Sequence, residues 1–408
     1  MNTSECVSMG IMKIHRNLLC TLTLLFTLSW ITVLTSNAVP AHKGKYLFYV
    51  GTYTQEGSKS KGIYAYSYDA ETAQITPLGL AAETTNPSWV TIHPNGRFLY
   101  TVNEVENYKG PNSGGVSAFS IDRSKDDRAT GKLTFLNEMP TRGADPCYVT
   151  VDNTGKYVLV ANYTGGSVVV FPIRDDGSLG EASAFAQHTG HGPNPQRQEG
   201  PHAHSINLSP DNRFAFVDDL GLDELLVYKF DSAKGSLTPN DPPFAKLLAG
   251  AGPRHFVLHP SGEFAYVISE MASTVTVFAN DPKAGALRNL QTISTLPRDF
   301  KGENDDAEVE VDPSGKFLYA SNRGHDSIMV FAIDPAKGTL TPVEYTLTQG
   351  KIPRSFEIDP TGTLLFAANQ ESNNIVVFRI DQNTGRLPPA GQVLDVAAPV
   401  CVKFLKVE

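Results

Sequence analysis

A hairpin unit that recurs about every fifty residues constrains this chain more than any other feature. The stretch from Gly252 to Ser273 shows the unit whole. A short apolar strand (Phe256, Val257, Leu258) enters the turn His259-Pro260-Ser261-Gly262, and a second strand, Phe264 to Ile268, runs back. Proline presets φ and glycine accepts positive φ, so the turn chemistry suits a tight hairpin. Five other copies turn at His93-Pro94-Asn95-Gly96, Asn153-Thr154-Gly155, Ser209-Pro210-Asp211-Asn212, Asp312-Pro313-Ser314-Gly315 and Pro360-Thr361-Gly362. A third strand follows each copy, as in Gly115 to Ile121 or Ser327 to Ile333, and then a Gly-x-Leu turn such as Gly285-Leu287 or Gly338-Leu340. That turn leads into a fourth, outer strand. Four antiparallel strands per unit make one propeller blade.

The two ends supply a further blade. Tyr46 to Thr52 matches a second strand, Gly62 to Tyr68 a third, and Ala73-Gln74-Ile75 a degenerate Gly-x-Leu. No first strand precedes them, whereas Pro399 to Leu405 resembles a first strand with no second strand after it. Pairing the ends closes a ring and leaves no open sheet edge between first and last units. The expected fold is all-β: a seven-bladed β-propeller, four antiparallel strands per blade, one blade closed by the N- and C-terminal strands. The insertions Val105 to Gly114, Gln187 to Gly200 and Leu296 to Asp306 map to the rim where first strands begin.

The N-terminus stands apart. Lys13, His15 and Arg16 precede an apolar run from Leu18 to Leu34, and Ser36-Asn37-Ala38 offers small residues for cleavage. Residues 1–38 therefore read as a signal peptide and 39–408 as the propeller, which predicts an exported protein, periplasmic or secreted. An uncleaved anchor is the competing reading, and the run is short for one. A lipoprotein reading from Cys20 lacks small residues before the cysteine. Cys147 and Cys401 remain, on non-neighbouring units too distant to pair, so buried free thiols are expected.

The formal net charge is −9, and no basic run could neutralise nucleic-acid phosphates, so nucleic acid is not an expected partner. No apolar surface helix or coiled-coil pattern suggests assembly. A monomer without a stable membrane partner is expected.

First strands line a propeller's channel, so their starts and the second-strand ends share one rim. Most copies place neutral groups there, such as Ser88, Asn103, Asn162 and Asn369. The middle units differ. His202 and His204 open one first strand, and Asp218 and Asp219 end its partner. Arg254 and His255 open the next, and Glu270 ends its partner. Glu308 opens the following one, Arg323 ends its partner, and Arg354 opens the unit after that. Arginines gathered on adjacent blades favour an anion. A metal is the rival: His202-x-His204 with Asp218 or Glu270 could ligate zinc or iron. The nearby arginines oppose a cation, and neither metal nor cofactor is expected. His188 and His191 lie in a Gly/Pro-rich insertion and read as exposed lid residues. No Gly-x-Ser-x-Gly elbow suggests a serine hydrolase.

The segments Arg197 to His204, Asp218-Asp219-Leu220-Gly221, Gly252-Pro253-Arg254-His255 and Ser321 to Ser327 resemble the lactonase family of seven-bladed propellers. That family includes a bacterial type of 6-phosphogluconolactonase and the fungal carboxy-cis,cis-muconate cyclase. The resemblance spans Tyr46 to Leu405. It implies a catalytic set of His204, Arg254, Glu270 and Arg323, each matching the cyclase's proposed His, two Arg and Glu. His202, His255, Asp219 and Arg354 are the candidate substrate-binding residues beside them. The implied reaction is hydrolysis of a sugar-acid lactone, with a small anionic lactone or sugar acid as substrate. Cycloisomerisation of a muconate-type diene and a binding propeller without chemistry are the alternatives. An exported protein would not meet the cytoplasmic 6-phosphogluconolactone, so an unphosphorylated aldonolactone or another anionic lactone fits the N-terminus better.

Overall fold

A computed structural model describes residues 44–407. The expected signal peptide, with Cys20, lies outside the described residues. Seven four-stranded antiparallel sheets are arranged as the repeats require. The fifth blade illustrates the pattern with strands Pro253–Leu258, Phe264–Ser269, Thr274–Asp281 and Ala286–Ser294, from innermost to outermost. At its first turn the N–H groups of His259 and Gly262 bond the carbonyls of Phe264 and His259 at 2.9 and 2.8 Å, with Gly262 at φ 73°.

The blade that joins the chain ends forms as expected. Pro399–Lys406 is its innermost strand and pairs with Lys45–Thr52, Leu405 opposite Leu47 and Val402 opposite Val50. Its degenerate turn puts Ala73 at φ 56°, a conformation that the other blades give to glycine. One first strand is shorter than its sequence copy: in the second blade it covers only Val90–Ile92. The Pro87 carbonyl is bonded instead by the N–H of Thr52, in the first blade, at 3.1 Å.

The apolar faces of neighbouring blades pack on each other. Phe214, Phe216 and Val227 of the fourth blade, for example, share a cluster with Phe256, Val267 and Phe278 of the fifth. A second device repeats at the seams. The tyrosine in the second strand donates to the carbonyl of the Gly-x-Leu glycine in the next blade: Tyr100 to Gly177, Tyr266 to Gly338 and Tyr319 to Gly385, each at 3.0 Å. These glycines explain the motif. Gly338 sits at φ 69°, and a Cβ there would lie 2.4 Å from the Phe264 ring. Among the described residues the free thiols are Cys147 and Cys401, and each is buried.

Candidate active site

One irregularity positions the rim residues. The first-strand register slips between Pro146 and Tyr148, Ala203 and Ser205, Pro253 and His255, Asp306 and Val309, and Pro353 and Ser355. The extra residue of these β-bulges is Cys147, His204, Arg254 or Arg354; in the sixth blade the slip spans Ala307 and Glu308. A bulge breaks the two-residue alternation and re-aims a side chain. Here it does so on blade after blade at the same height around the channel mouth.

Glu270, at the end of the fifth blade's second strand, is the centre of the site. Its N–H bonds the Gly252 carbonyl at 2.7 Å, and its carbonyl accepts from Asp306 N–H of the next blade at 3.0 Å. The backbone is thus held from two sides. One carboxylate oxygen, Oε2, meets Arg254 Nε at 3.1 Å and an Arg323 terminal nitrogen at 2.7 Å, with His204 Nε2 at 3.8 Å. The other, Oε1, is bonded by Arg197. The structure therefore brings His204, Arg254, Glu270 and Arg323 together from three adjacent blades. Arg254 also donates to the Ala307 carbonyl at 2.6 Å, and Arg323 to that of Asp306 at 2.9 Å. Arg323 Nε is buried with no protein partner.

These contacts set the charges. Burial would raise the Glu270 carboxyl, but the guanidinium charges of Arg323, Arg254 and Arg197 outweigh it and hold it well below its ordinary value. Burial, and then the charge of Arg254, push the His204 imidazole well below its usual value against the pull of Glu270. His204 is a neutral ring beside a firmly ionised carboxylate. Burial and the charges of Arg323 and Arg354 bring Arg254 down to about 10, so it stays protonated at neutral pH.

A second tier lies on His255. Its Nδ1 is 2.9 Å from Glu308 Oε1, its ring stands edge-on to Trp89 and Tyr148 at 5.0 and 5.3 Å, and its centroid is 5.4 Å from that of His204. Burial pushes the Glu308 carboxyl up to about 7, and burial with the charge of Arg254 keeps His255 neutral. The Cys147 thiol donates to the His204 carbonyl at 3.2 Å. Arg354 lies over the Tyr53 ring at 5.4 Å, and Tyr53 in turn donates to Glu104 at 3.0 Å.

Residues 47–404 match the family model described as lactonase, 7-bladed beta-propeller. The chain belongs to this lactonase family. It is 41% identical over 361 residues to a 6-phosphogluconolactonase of Bacillus subtilis, covering 88% of this chain and 99% of that one. A 6-phosphogluconolactonase of Formosa agariphila is 33% identical over 311 residues, which span 76% of this chain and 85% of that one. Among solved structures, the periplasmic gluconolactonase PpgL of Pseudomonas aeruginosa superposes with a TM-score of 0.82 at 35% identity, covering 89% of this chain and all of that one (100%).

Within the lactonase's mouth, two of the candidate substrate-binding residues are committed elsewhere. Asp219 is fully buried: Oδ2 pairs with His188 Nδ1 at 2.6 Å, and Oδ1 accepts the N–H groups of His202 and Gly221 at 2.8 and 3.0 Å. Both of its oxygens are engaged in holding the His188 ring and the His202 loop. His202 is stacked on Tyr163 at 4.7 Å with Nε2 3.2 Å from Glu199, and His204 stands edge-on to the same Tyr163 ring at 5.3 Å. His188 is likewise buried on Asp219 rather than exposed as a lid residue, whereas His191 is exposed. Arg197 was missed as a site residue. It lies in an insertion outside any repeat register, and only the family-like segment that contains it could have drawn attention to it.

Proposed function

We propose that the lactonase opens a sugar-acid lactone by direct attack of water, with His204 as the general base. The observation that carries this reading is the pairing of a neutral imidazole with an ionised, arginine-held carboxylate at one channel mouth. An unprotonated ring can take a proton from water near neutral pH; a carboxylate bound by three guanidinium groups is a poor base. Water attacks the lactone carbonyl carbon as His204 takes its proton. The carbonyl oxygen becomes an oxyanion, for which Arg323 offers its uncommitted Nε–H. Collapse breaks the bond to the ring oxygen, which receives the proton back from His204. The products are a carboxylate and a hydroxyl, with one proton released to solvent. Glu270 holds the arginines in place and stabilises the imidazolium while it exists.

The shared name of the B. subtilis and F. agariphila relatives, and that of PpgL, support a gluconolactone-type substrate. Residues 1–38 support action outside the cytoplasm. The test is a pH-stat trace on glucono-δ-lactone with and without a 6-phosphate. Acid release is expected to fall about tenfold or more in each of His204→Ala, Arg254→Ala and Glu270→Ala. Unchanged rates in all three would remove the mechanism. Bleaching of a muconate diene in place of acid release would replace it with cycloisomerisation.

A further inference from the structure

The three arginines on Glu270 are not equivalent. The side chains of Arg254 and Arg323 are 3% and 10% exposed, and each is also fixed on a backbone carbonyl. That of Arg197 is 37% exposed, while the Glu270 side chain beneath it is 6% exposed. Arg197 thus closes the solvent side of the cluster. Its other contacts are weak: 3.5 Å to the Tyr163 hydroxyl and 3.9 Å to Asp305 Oδ1.

The backbone under Arg197 is firmly held. The Asn194 side chain accepts the N–H groups of Gln196 and Arg197 at 3.0 and 3.1 Å. Gln198 is fully buried and donates to the Leu220 carbonyl at 2.8 Å and to Asp223 at 2.7 Å. The loop is therefore an anchored base from which the long Arg197 side chain can swing once its bond to Glu270 is exchanged. A ligand reaching Glu270, His204 and Arg323 from solvent must displace that guanidinium. Separating it from a carboxylate is costly unless a new anion replaces the old one.

We propose that Arg197 is the specificity residue of the lactonase, a guanidinium that moves from Glu270 to a second anionic group on the substrate. The proposal rests on the lactonase reading and deepens it: the preferred substrate carries a phosphate or carboxylate besides the lactone, and a neutral lactone opens the gate without compensation. The exchange also acts on the base. Once Arg197 leaves, the charges facing Glu270 and His204 are Arg254, Arg323 and Arg354 against Asp305, with His255 neutral and Tyr163 un-ionised. One positive neighbour fewer makes both groups more basic.

The test separates recognition from turnover by titrating gluconate, 6-phosphogluconate and glucarate into the full-length protein by calorimetry. The wild type is expected to bind 6-phosphogluconate or glucarate, the two acids with a second anionic group, about tenfold or more tightly than gluconate, and the winner identifies the group as phosphate or carboxylate. Arg197→Gln should close that gap, and Arg197→Lys should keep part of it, since it retains the charge without the planar fork. Unchanged circular dichroism in both variants excludes a folding defect. Arg197→Gln should also move the acid limb of kcat/KM on glucono-δ-lactone to higher pH. Equal binding of all three acids by the wild type, or a gap that survives Arg197→Gln, overturns the proposal even if lactones are hydrolysed. Absence of turnover with the binding gap intact would instead overturn the lactonase reading.

Discussion

Glu270 organises the mouth by being surrounded. Removing its charge in Glu270→Gln leaves Arg254 and Arg323 buried against a neutral amide, and isolating buried charges typically costs about 3–5 kcal/mol. A clear drop in melting temperature is expected along with the loss of activity. His204→Ala, by contrast, removes a neutral ring and should lower activity with a smaller effect on melting. The depressed imidazole also fixes the sign of the pH response. Its folded value lies below the ordinary value of about 6.5, so His204 stays unprotonated, and active as a base, at pH values where a free histidine has gained its proton. The wild-type kcat/KM on glucono-δ-lactone should therefore stay level from pH 8 down through about pH 6.5 and fall only at lower pH. A limb centred at or above 6.5 would show that His204 is not held neutral in the free enzyme.

The hairpins were legible because their determinants are local. Proline, glycine and asparagine state their backbone requirements at the turn itself, and the repeat spacing orders the turns around a ring. Gly338→Ala tests that reasoning at one seam. The substitution adds a Cβ at φ 69° against the Phe264 ring, so a loss of about 1–3 kcal/mol in denaturant titration is expected. The bulges were not legible, because a one-residue slip leaves no mark in composition or alternation. His188 was misjudged for a related reason. Its pairing with Asp219 joins an insertion to the end of a strand, and neither segment alone shows that the ring is buried. The quartet around Glu270 was accessible because strand starts and strand ends of adjacent units must share a rim. Arg197 has no such register, and its contact with Glu270 depends on the path of an insertion.

At the scale of the ring, the blade shared by both termini is the least replaceable. Deleting residues 399–408 removes Val400, Cys401, Val402 and Leu405 from the interior and exposes the edge of Lys45–Thr52. Each buried aliphatic side chain contributes about 1.5–3 kcal/mol, so the combined loss approaches the whole stability of an ordinary domain. The truncated chain is expected to be unfolded or aggregated, as read by circular dichroism and size exclusion.

The same closure sets an order of events in the cell. The strand that completes the first sheet is made after the strands of the other six blades, so the ring cannot close until residues 399–406 have been translated. His204, Arg254, Glu270 and Arg323 are all synthesised well before that strand exists. The chemistry is thus encoded well ahead of the clasp that seals its scaffold.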